Sequence, residues 1–241
     1  MKTLSSAAIA VALLAIAGSA GAADLSPIIV APMPAFNWSG FYAGAHLGYS
    51  WGNDSTVEYL TGTDILTGAS WKYRTDGVVG GGFAGYNYEK DSIVVGAEAD
   101  IEATDMRGSF LDAGGLGKGT ARIDWQGSLR ARVGVAAFDR GLIYATSGAA
   151  LGDIRYVYTN IPLAIDEPVT KTRVGWTVGA GFEYALTDNI TLRTEYRYTD
   201  YGTFRIPSQT AFGPAVAPPN GLTGEQHPYS SSARIGVAYR F

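Results

Sequence analysis

The sequence predicts an all-β fold, an eight-stranded antiparallel up-and-down transmembrane β-barrel preceded by a cleavable signal peptide. Three observations in the 241-residue chain lead to this prediction. The N-terminus is of the exported type, several segments alternate between apolar and polar residues, and the connections between these segments alternate between short and long. Alternation with a period of two places successive side chains on opposite faces of an extended strand.

The N-terminus has the composition of a secretory signal peptide. Lys2 precedes an apolar stretch over about 7–17, and small residues follow up to Ala22. The apolar stretch is too short for a spanning helix, and the small residues are typical of a cleavage site. We therefore predict a signal peptide over 1–22 and one outer-membrane β-barrel domain over 23–241, with a buried N-terminal helix as the alternative. The chain has no cysteine, which excludes a lipoprotein anchor and a disulfide framework.

Eight segments have the composition of strands. Five of them alternate clearly, with apolar residues on one face and charged residues or glycine on the other. These five are IVVGAEADIE (93–102), RIDWQGSLRARVGV (122–135), TRVGWTVGAGFEY (172–184), ITLRTEYRY (190–198) and SARIGVAYRF (232–241). The other three are 41–52, 75–88 and 142–156, of which the last two are so rich in glycine and alanine that their phase is ambiguous.

The connections between the strands are of two sizes. The short polar ones are 89–92, 138–141 and 186–189, and the long ones are 53–73, 106–120, 157–171 and 204–229. Strict alternation puts short turns at one end of a barrel and long loops at the other, as in outer-membrane barrels. Closure of the barrel matters because every backbone N–H and C=O in hydrocarbon needs a partner.

A secreted lipocalin-like barrel would show the same alternation with its apolar face turned inward around a ligand. The residue types favour the membrane barrel. The lysines after the signal peptide lie in turns, loops or strand ends, whereas the polar strand faces use Arg, Glu, Asp and Gly. A narrow lumen favours such arginine–carboxylate pairs, and the aromatic residues near the strand ends suit interfacial girdles.

The polar faces predict a structural charge network in the lumen. Its members are Glu98, Asp100, Glu102, Arg130, Arg132, Glu183, Arg193, Glu195, Arg197 and Arg234. The same phase assignment also places Arg122, Asp124, Arg173 and Arg240 inward. An eight-stranded barrel is only wide enough for its side chains, so this lumen resembles a salt-bridged plug that only a small solute could pass.

Catalytic, cofactor and metal sites are not predicted. The two histidines are His46, on the polar face of the first strand, and His227, in the last long loop. Without cysteine, or a histidine beside a serine on a shared strand face, a catalytic triad has little support. No His-x-x-x-His spacing indicates a metal. The net charge of −4, with no charge runs, predicts no nucleic-acid partner.

Four stretches resemble a known family. NWSGFYAGAHLGYSWG, AGYNYEKDSIVVGAEAD, FEYALTDNITLRTEYRYTDYG and the terminal RIGVAYRF are similar to the small porin-like outer-membrane β-barrel proteins of alphaproteobacteria, of the outer-membrane immunogenic type. The resemblance implies insertion by the outer-membrane assembly machinery, with Tyr239 and Phe241 of the final strand as the assembly signal. Outer-membrane lipid and lipopolysaccharide are the other expected partners.

The expected function is that of a porin-like integral protein of the Gram-negative outer membrane, which contributes to envelope structure and surface exposure; whether it also passes small solutes stays open at this point. The alternative is surface adhesion or ligand binding, for example of haem, through the long loops, and a lipid-modifying enzyme is less well supported. The Pro-rich and apolar loop 204–229 could cap the barrel mouth, contact a neighbouring molecule or be flexible.

Overall fold

Ten antiparallel strands make up the fold in the computed structural model, which describes residues 36–60, 62–111, 115, 117–208 and 222–241. The strands are β1 (Gly40–Leu60), β2 (Leu66–Lys90), β3 (Ile93–Leu111), β4 (Gly117–Ala137), β5 (Gly141–Asn160), β6 (Ile165–Ala185), β7 (Ile190–Asp200), β8 (Phe204–Ser208), β9 (Leu222–Gln226) and β10 (Tyr229–Arg240). Across these ranges, no helix has the length and apolar character needed to cross a membrane. The predicted signal peptide lies outside the described residues.

Eight of the strands close into a ring. Strands β1 to β7 pair in sequence order, and β10 pairs with β7 on one side and with β1 on the other. The β10–β1 ladder runs from Tyr229↔Asn53 to Arg240↔Tyr42, so the last strand removes both edges of the sheet. The prediction of an all-β, eight-stranded antiparallel barrel is confirmed.

The apolar face of the barrel points outward. Ile101 and Leu129 are each 65% exposed and Val174 is 70% exposed, although all three are large aliphatic residues in regular strands. Their neighbours along the strands point inward and are mostly polar or aromatic. This arrangement is that of a barrel surrounded by lipid and differs from a soluble barrel with an apolar interior.

The structure also resolves the phase of the two ambiguous strands. In β2, Val79 and Phe83 are buried inside while Val78 faces outward, and in β5 Leu142 and Tyr144 are inside. Small residues were the source of the ambiguity, because glycine and alanine occupy both faces of these strands.

Arg122 and Asp124 were predicted to point inward, and this prediction is wrong. Both side chains are substantially exposed and pair with each other on the outer surface. The cause is an irregularity in the β4–β5 register between Ile123 and Gln126. An extra residue in one strand reverses the face of every residue beyond it, so strict alternation fails at this point.

The long connections were also predicted with the wrong extent. Most of 53–73, 106–120 and 157–171 is strand, which leaves only 61–65, 112–116 and 161–164 between the strands. In these segments the strands continue beyond the belt of outward-facing apolar residues. We call this part of the barrel the tall wall, and polar residues occur on both of its faces. Such a segment lacks the apolar–polar alternation that marks a strand in lipid.

The wall is lower on one side. Strand β7 ends at Asp200, opposite Trp176, so the part of β6 from Ile165 to Gly175 pairs only with β5 among the described residues. On the other side of this gap, β9 pairs with β1 over Thr56–Leu60, and β8 pairs with β9. The described parts of 204–229 therefore form a short hairpin added to the rim, and 209–221 lie outside the described residues.

Tight turns close the other end, which we call the short-turn end. The β2–β3 turn has only Asp91 and Ser92 between its strands, and both have positive φ, 52° and 66°. Two central residues with positive φ give the twist that a two-residue hairpin requires. The four-residue turn 186–189 is closed by a hydrogen bond from the Leu186 amide to the Ile190 carbonyl, at 2.9 Å.

Candidate functional site

The lumen of the barrel is filled by the ten charged residues predicted for the network. All ten side chains lie inside and are buried. Five are arginines and five are carboxylates, so the formal charges of the group balance. A buried charge is costly unless it is paired, and this balance allows each of them to be paired.

Arg130 lies at the centre of the network. From β4, its guanidinium donates to Glu98 and to Asp100 at 3.0 Å on the neighbouring strand β3. It also donates to Glu195 at 3.0 Å, on β7. Because β4 and β7 are not adjacent in the ring, this last bond crosses the lumen.

Two further arginines of β7 reach across to the same acidic strand. Arg193 donates to Glu98 at 2.6 Å, and Arg197 donates to Asp100 at 3.0 Å. Strands β3 and β7 lie on opposite sides of the ring, so these bonds tie the two walls together. The side chains therefore occupy the cross-section that an open channel would need.

Glu102 forms a second node nearer the tall wall. It accepts hydrogen bonds from Arg234 and Gln126, and the imidazole Nε2 of His46 lies 2.7 Å from one of its oxygens. The ring of His46 stacks on Phe83 at a centroid distance of 5.8 Å. His46 is thus a packed member of the network.

Arg132 and Glu183 form a pair at the short-turn side of the network. The Arg132 guanidinium lies 3.9 Å from the centroid of the Tyr144 ring and 5.6 Å from that of Tyr42. Glu183 also accepts a hydrogen bond from the Thr191 hydroxyl at 2.6 Å. Both charges are therefore compensated by direct contacts.

Above the charges, an apolar layer fills the tall part of the barrel. It consists of Tyr73, Val79, Met106, Ala121, Ile123, Ala150, Ile154, Tyr156, Tyr201 and Phe204. Sequence analysis missed this layer because most of these residues fall in segments that were assigned to long loops or to strands of ambiguous phase. The sequence did contain one signal of this layer. Along the same strands, the inward-facing positions change from charged to apolar residues.

One carboxylate, Asp54, is enclosed in this apolar layer. It lies beyond the lipid-facing belt and accepts hydrogen bonds from the hydroxyls of Tyr73, at 2.8 Å, and Tyr156. The backbone amide of His227 donates to its other oxygen at 3.2 Å. Burial raises the pKa of Asp54, and these hydrogen bonds oppose that shift. Asp54 thereby joins β1 to β2, β5 and the segment before β10.

The chain that leaves β7 covers this layer. Tyr201 turns inward and donates to Gln126 at 2.6 Å, and Gly152 leaves the space for its ring, since a Cβ there would lie 2.7 Å from it. Phe204, the first residue of β8, is buried with the Arg173 guanidinium 3.7 Å from its ring centroid. Of the three expectations for 204–229, the described part fits a cap on the mouth.

An aromatic seal, formed by Phe36 and Trp38, closes the short-turn end. Both are buried, and their rings meet edge to face at 4.7 Å. The Trp38 amide donates to Glu89 at 2.7 Å, and the Phe36 amide donates to the Asp139 carbonyl at 2.9 Å. The Arg240 guanidinium lies 4.6 Å from the centroid of the Phe36 ring. Sequence analysis began the first strand at residue 41 and assigned no role to these residues.

Both histidines of the chain lie beside carboxylates. Each histidine is bonded to a carboxylate, His46 to Glu102 and the more exposed His227 to Asp200 at 3.3 Å. Within the ranges that the structure describes, no group of three His, Cys, Asp or Glu side chains is arranged to hold a metal.

The last strand ends as an ordered part of the wall. Tyr239 and Phe241 face outward, and their rings meet at 5.2 Å. The Phe241 amide donates to the Phe41 carbonyl at 3.0 Å, and the Arg240 amide donates to the Asn189 carbonyl at 2.8 Å. The terminal residue is therefore available to lipid or to another protein.

A closed barrel with an aliphatic exterior and a charged, filled interior defines the class of integral outer-membrane β-barrels. The family model of the outer membrane protein beta-barrel domain matches residues 9–241. The chain belongs to this family and is a protein of the Gram-negative outer membrane.

Relatives of known name agree with this assignment. The chain is 35% identical over 252 residues to the 25 kDa outer-membrane immunogenic protein of Brucella abortus, with all of both chains covered. It is 37% identical over 206 residues to the 31 kDa outer-membrane immunogenic protein of Brucella melitensis, covering 77% of this chain and 82% of the relative. The resemblance predicted from the sequence is confirmed.

A solved structure shows the same fold at low sequence identity. The outer membrane protein OprG from Pseudomonas aeruginosa matches with a TM-score of 0.52 and 15% identity, covering 86% of this chain and 98% of that chain. In barrels of this class the short turns face the periplasm and the long connections face outward. From this pattern we expect the aromatic seal at the periplasmic end and the tall wall at the extracellular end.

Proposed function

We propose that the protein is a closed barrel that strengthens the outer membrane and displays its tall wall at the cell surface. The observation that carries this proposal is the set of ion pairs that cross the lumen, from Arg130 to Glu195 and from Arg193 to Glu98. These ion pairs lie between the aromatic seal and the apolar layer. A solute that crossed the barrel would therefore have to displace the side chains of the seal, of the charge network and of the apolar layer in turn. Names of relatives that refer to immunogenicity support surface exposure and refer to no enzymatic activity.

Planar-bilayer recordings test the closed lumen. The purified, refolded protein should give no reproducible conductance steps, because each charge removed from its partner would be left unpaired in a medium of low dielectric. The double variant Arg130→Gln/Arg132→Gln, which weakens the network, is the matched comparison. Steps in the wild-type protein would overturn the closed barrel in favour of small-solute passage.

Cysteine labelling in intact cells tests surface display. The chain has no cysteine of its own, so a single introduced thiol is the only reactive one. A membrane-impermeant maleimide should label Asp64→Cys, in the β1–β2 turn, and should not label Asp188→Cys, in the periplasmic β6–β7 turn. Both positions are highly exposed, so a difference reports the side of the membrane. Equal labelling in intact cells would contradict the proposed display.

A further inference from the structure

Three arginines form a row on the outer surface of the barrel. Arg107 on β3 lies directly opposite Arg122 on β4, and Arg122 lies directly opposite Arg155 on β5. All three side chains point outward and are exposed. We call this set the arginine row.

The arginine row is only partly neutralised by carboxylates of the protein, and Asp76 lies directly opposite Arg107 on the neighbouring strand β2. Like charges that are directly opposite on neighbouring strands repel each other. Arg107 pairs with Asp105, and Arg122 with Asp124, while Arg155 makes no ion pair with another described residue. Each ion pair occupies one nitrogen of a guanidinium that has five N–H donors, so most of the donors in the row remain available.

The position of the row relative to lipid can be estimated along β4. Outward-facing residues from Val135 to Trp125 line the apolar belt, ten residues apart. At about 3.4 Å per residue and a strand tilt of about 40°, the belt is about 25 Å tall, the height expected of an outer-membrane barrel. Arg122 is three residues further, or about 8 Å above the belt, which is the level of the lipid headgroups.

We propose that the arginine row binds phosphate groups of lipopolysaccharide in the outer leaflet. Arginine presents paired donors that match a phosphate, and an anion between two neighbouring guanidinium groups removes the repulsion between them. Phosphate binding at the row gives a physical basis to the proposed strengthening of the membrane. Its biological meaning rests on that proposed function. The site lies on the outer wall, so it does not depend on whether the lumen conducts.

Titration of the full-length protein in neutral detergent with fluorescent deep-rough lipopolysaccharide tests the site. The variant Arg107→Gln/Arg122→Gln/Arg155→Gln should bind about tenfold more weakly than the wild type, because three charge-assisted contacts are lost. The control Lys118→Gln/Lys171→Gln/Arg205→Gln removes the same charge from exposed extracellular positions outside the row. It should stay within about twofold of the wild type.

Two further arms identify the source of the phosphate. Dephosphorylated lipopolysaccharide should bind the wild type as weakly as intact lipopolysaccharide binds the row variant. Inorganic phosphate in excess should compete poorly, because a free ion gains neither the lipid anchoring nor the multiple contacts of a headgroup. Efficient competition by inorganic phosphate would replace the lipid by a free-anion site and overturn the proposal.

A stability measurement guards against misfolding of the row variant. In neutral detergent without lipopolysaccharide, the unfolding temperature of the variant should stay close to that of the wild type, because the variant loses both the repulsion and two exposed ion pairs, and exposed ion pairs contribute little to stability. Addition of lipopolysaccharide should raise the unfolding temperature of the wild type more than that of the variant. Unchanged binding by the folded row variant, or an equal loss in the control variant, would refute the site. Conductance steps in the bilayer experiment would overturn the closed lumen and leave this result unaffected.

Discussion

Individual side chains in the lumen show which features of the site can be predicted from the sequence. The alternation of Glu98, Asp100 and Glu102 predicts their common face, and the structure places all three inside. Which arginine each one contacts could not be predicted, because bonds such as Arg193 to Glu98 join strands that are not neighbours. Asp54 was beyond prediction for a different reason, since its partners lie on β2, β5 and the segment before β10.

The Arg132–Glu183 pair allows a test of buried charge at the residue scale. Arg132→Met should lower the free energy of unfolding in lipid vesicles by about 3–5 kcal/mol, because it leaves Glu183 buried and unpaired. Adding Glu183→Gln should recover part of that loss, since the uncompensated charge is removed while Thr191 keeps an acceptor. Urea titrations of the wild type, both single variants and the double variant measure the coupling.

The exposed pair Arg205–Glu225 is the control for this cycle. Its nitrogen and oxygen are also in contact, at 2.9 Å, but both side chains are partly exposed to solvent. Its removal should leave the free energy of unfolding nearly unchanged. A loss at Arg132 no larger than that would contradict the account of the lumen.

Ser92 permits a prediction of increased stability. It holds a φ of 66° in the β2–β3 turn, a conformation that glycine adopts at less cost. Ser92→Gly should therefore raise the free energy of unfolding by about 0.5 kcal/mol. Ser109→Gly, within β3, should lower it, because glycine weakens a strand interior. Equal effects at the two positions would mean that the turn geometry has no part in stability.

At the scale of whole elements, alternation predicted strands well where lipid surrounds them. In 190–198 and 232–241 every second residue meets hydrocarbon, so the two faces need different residues. Above the membrane both faces tolerate polar residues, and β1 and β2 were therefore predicted to be shorter than they are. The irregularity at Ile123 adds a residue without any mark in the composition, which explains why Arg122 was placed on the wrong face.

The final strand supports a prediction about assembly. Deletion of Phe241 should reduce insertion of the barrel in cells, because the resemblance to the family assigns this residue to recognition by the assembly machinery. Refolding of the purified variant into detergent should proceed as in the wild type, since Phe241 is exposed and contributes one backbone hydrogen bond to β1. Heat-modifiable migration in unboiled gels measures insertion in cells and refolding in detergent.

Phe138→Ala provides the comparison for the deletion, since Phe138 is also an exposed phenylalanine at the periplasmic end. Insertion of this variant should be normal. Normal insertion of the Phe241 deletion as well would show that the terminal residue is not the signal.

In the molecule as a whole, three kinds of packing follow one another along the barrel axis. The aromatic seal lies at the periplasmic end, the charge network in the middle, and the apolar layer with its β8–β9 cap at the extracellular end. Closure of the barrel and the outward direction of its apolar face could be predicted from the sequence. The aromatic seal and the apolar layer could not, because the seal precedes the first predicted strand and most of the layer lies in segments that were assigned to long loops or to strands of ambiguous phase.

The aromatic seal can be tested with a buried reporter. Val94, which packs in the cluster with Phe36 and Trp38, is fully buried. A cysteine at position 94 should resist maleimide in the otherwise native barrel and react in the background Phe36→Ala/Trp38→Ala, because truncation opens a path from the periplasmic side. In the background Phe138→Ala it should remain unreactive. Reaction at the same rate in all three backgrounds would exclude a seal.

The low side of the wall has a consequence for how these molecules behave next to one another. From Ile165 to Gly175, β6 has no partner strand on this side among the described residues, and an unpaired strand edge can recruit a strand from another chain. This edge contains Pro168, which has no N–H, and Lys171, whose charge repels a second copy of the same strand. A protein crowded at high density in two dimensions can thus keep a tall, partly open rim without promoting intermolecular sheets.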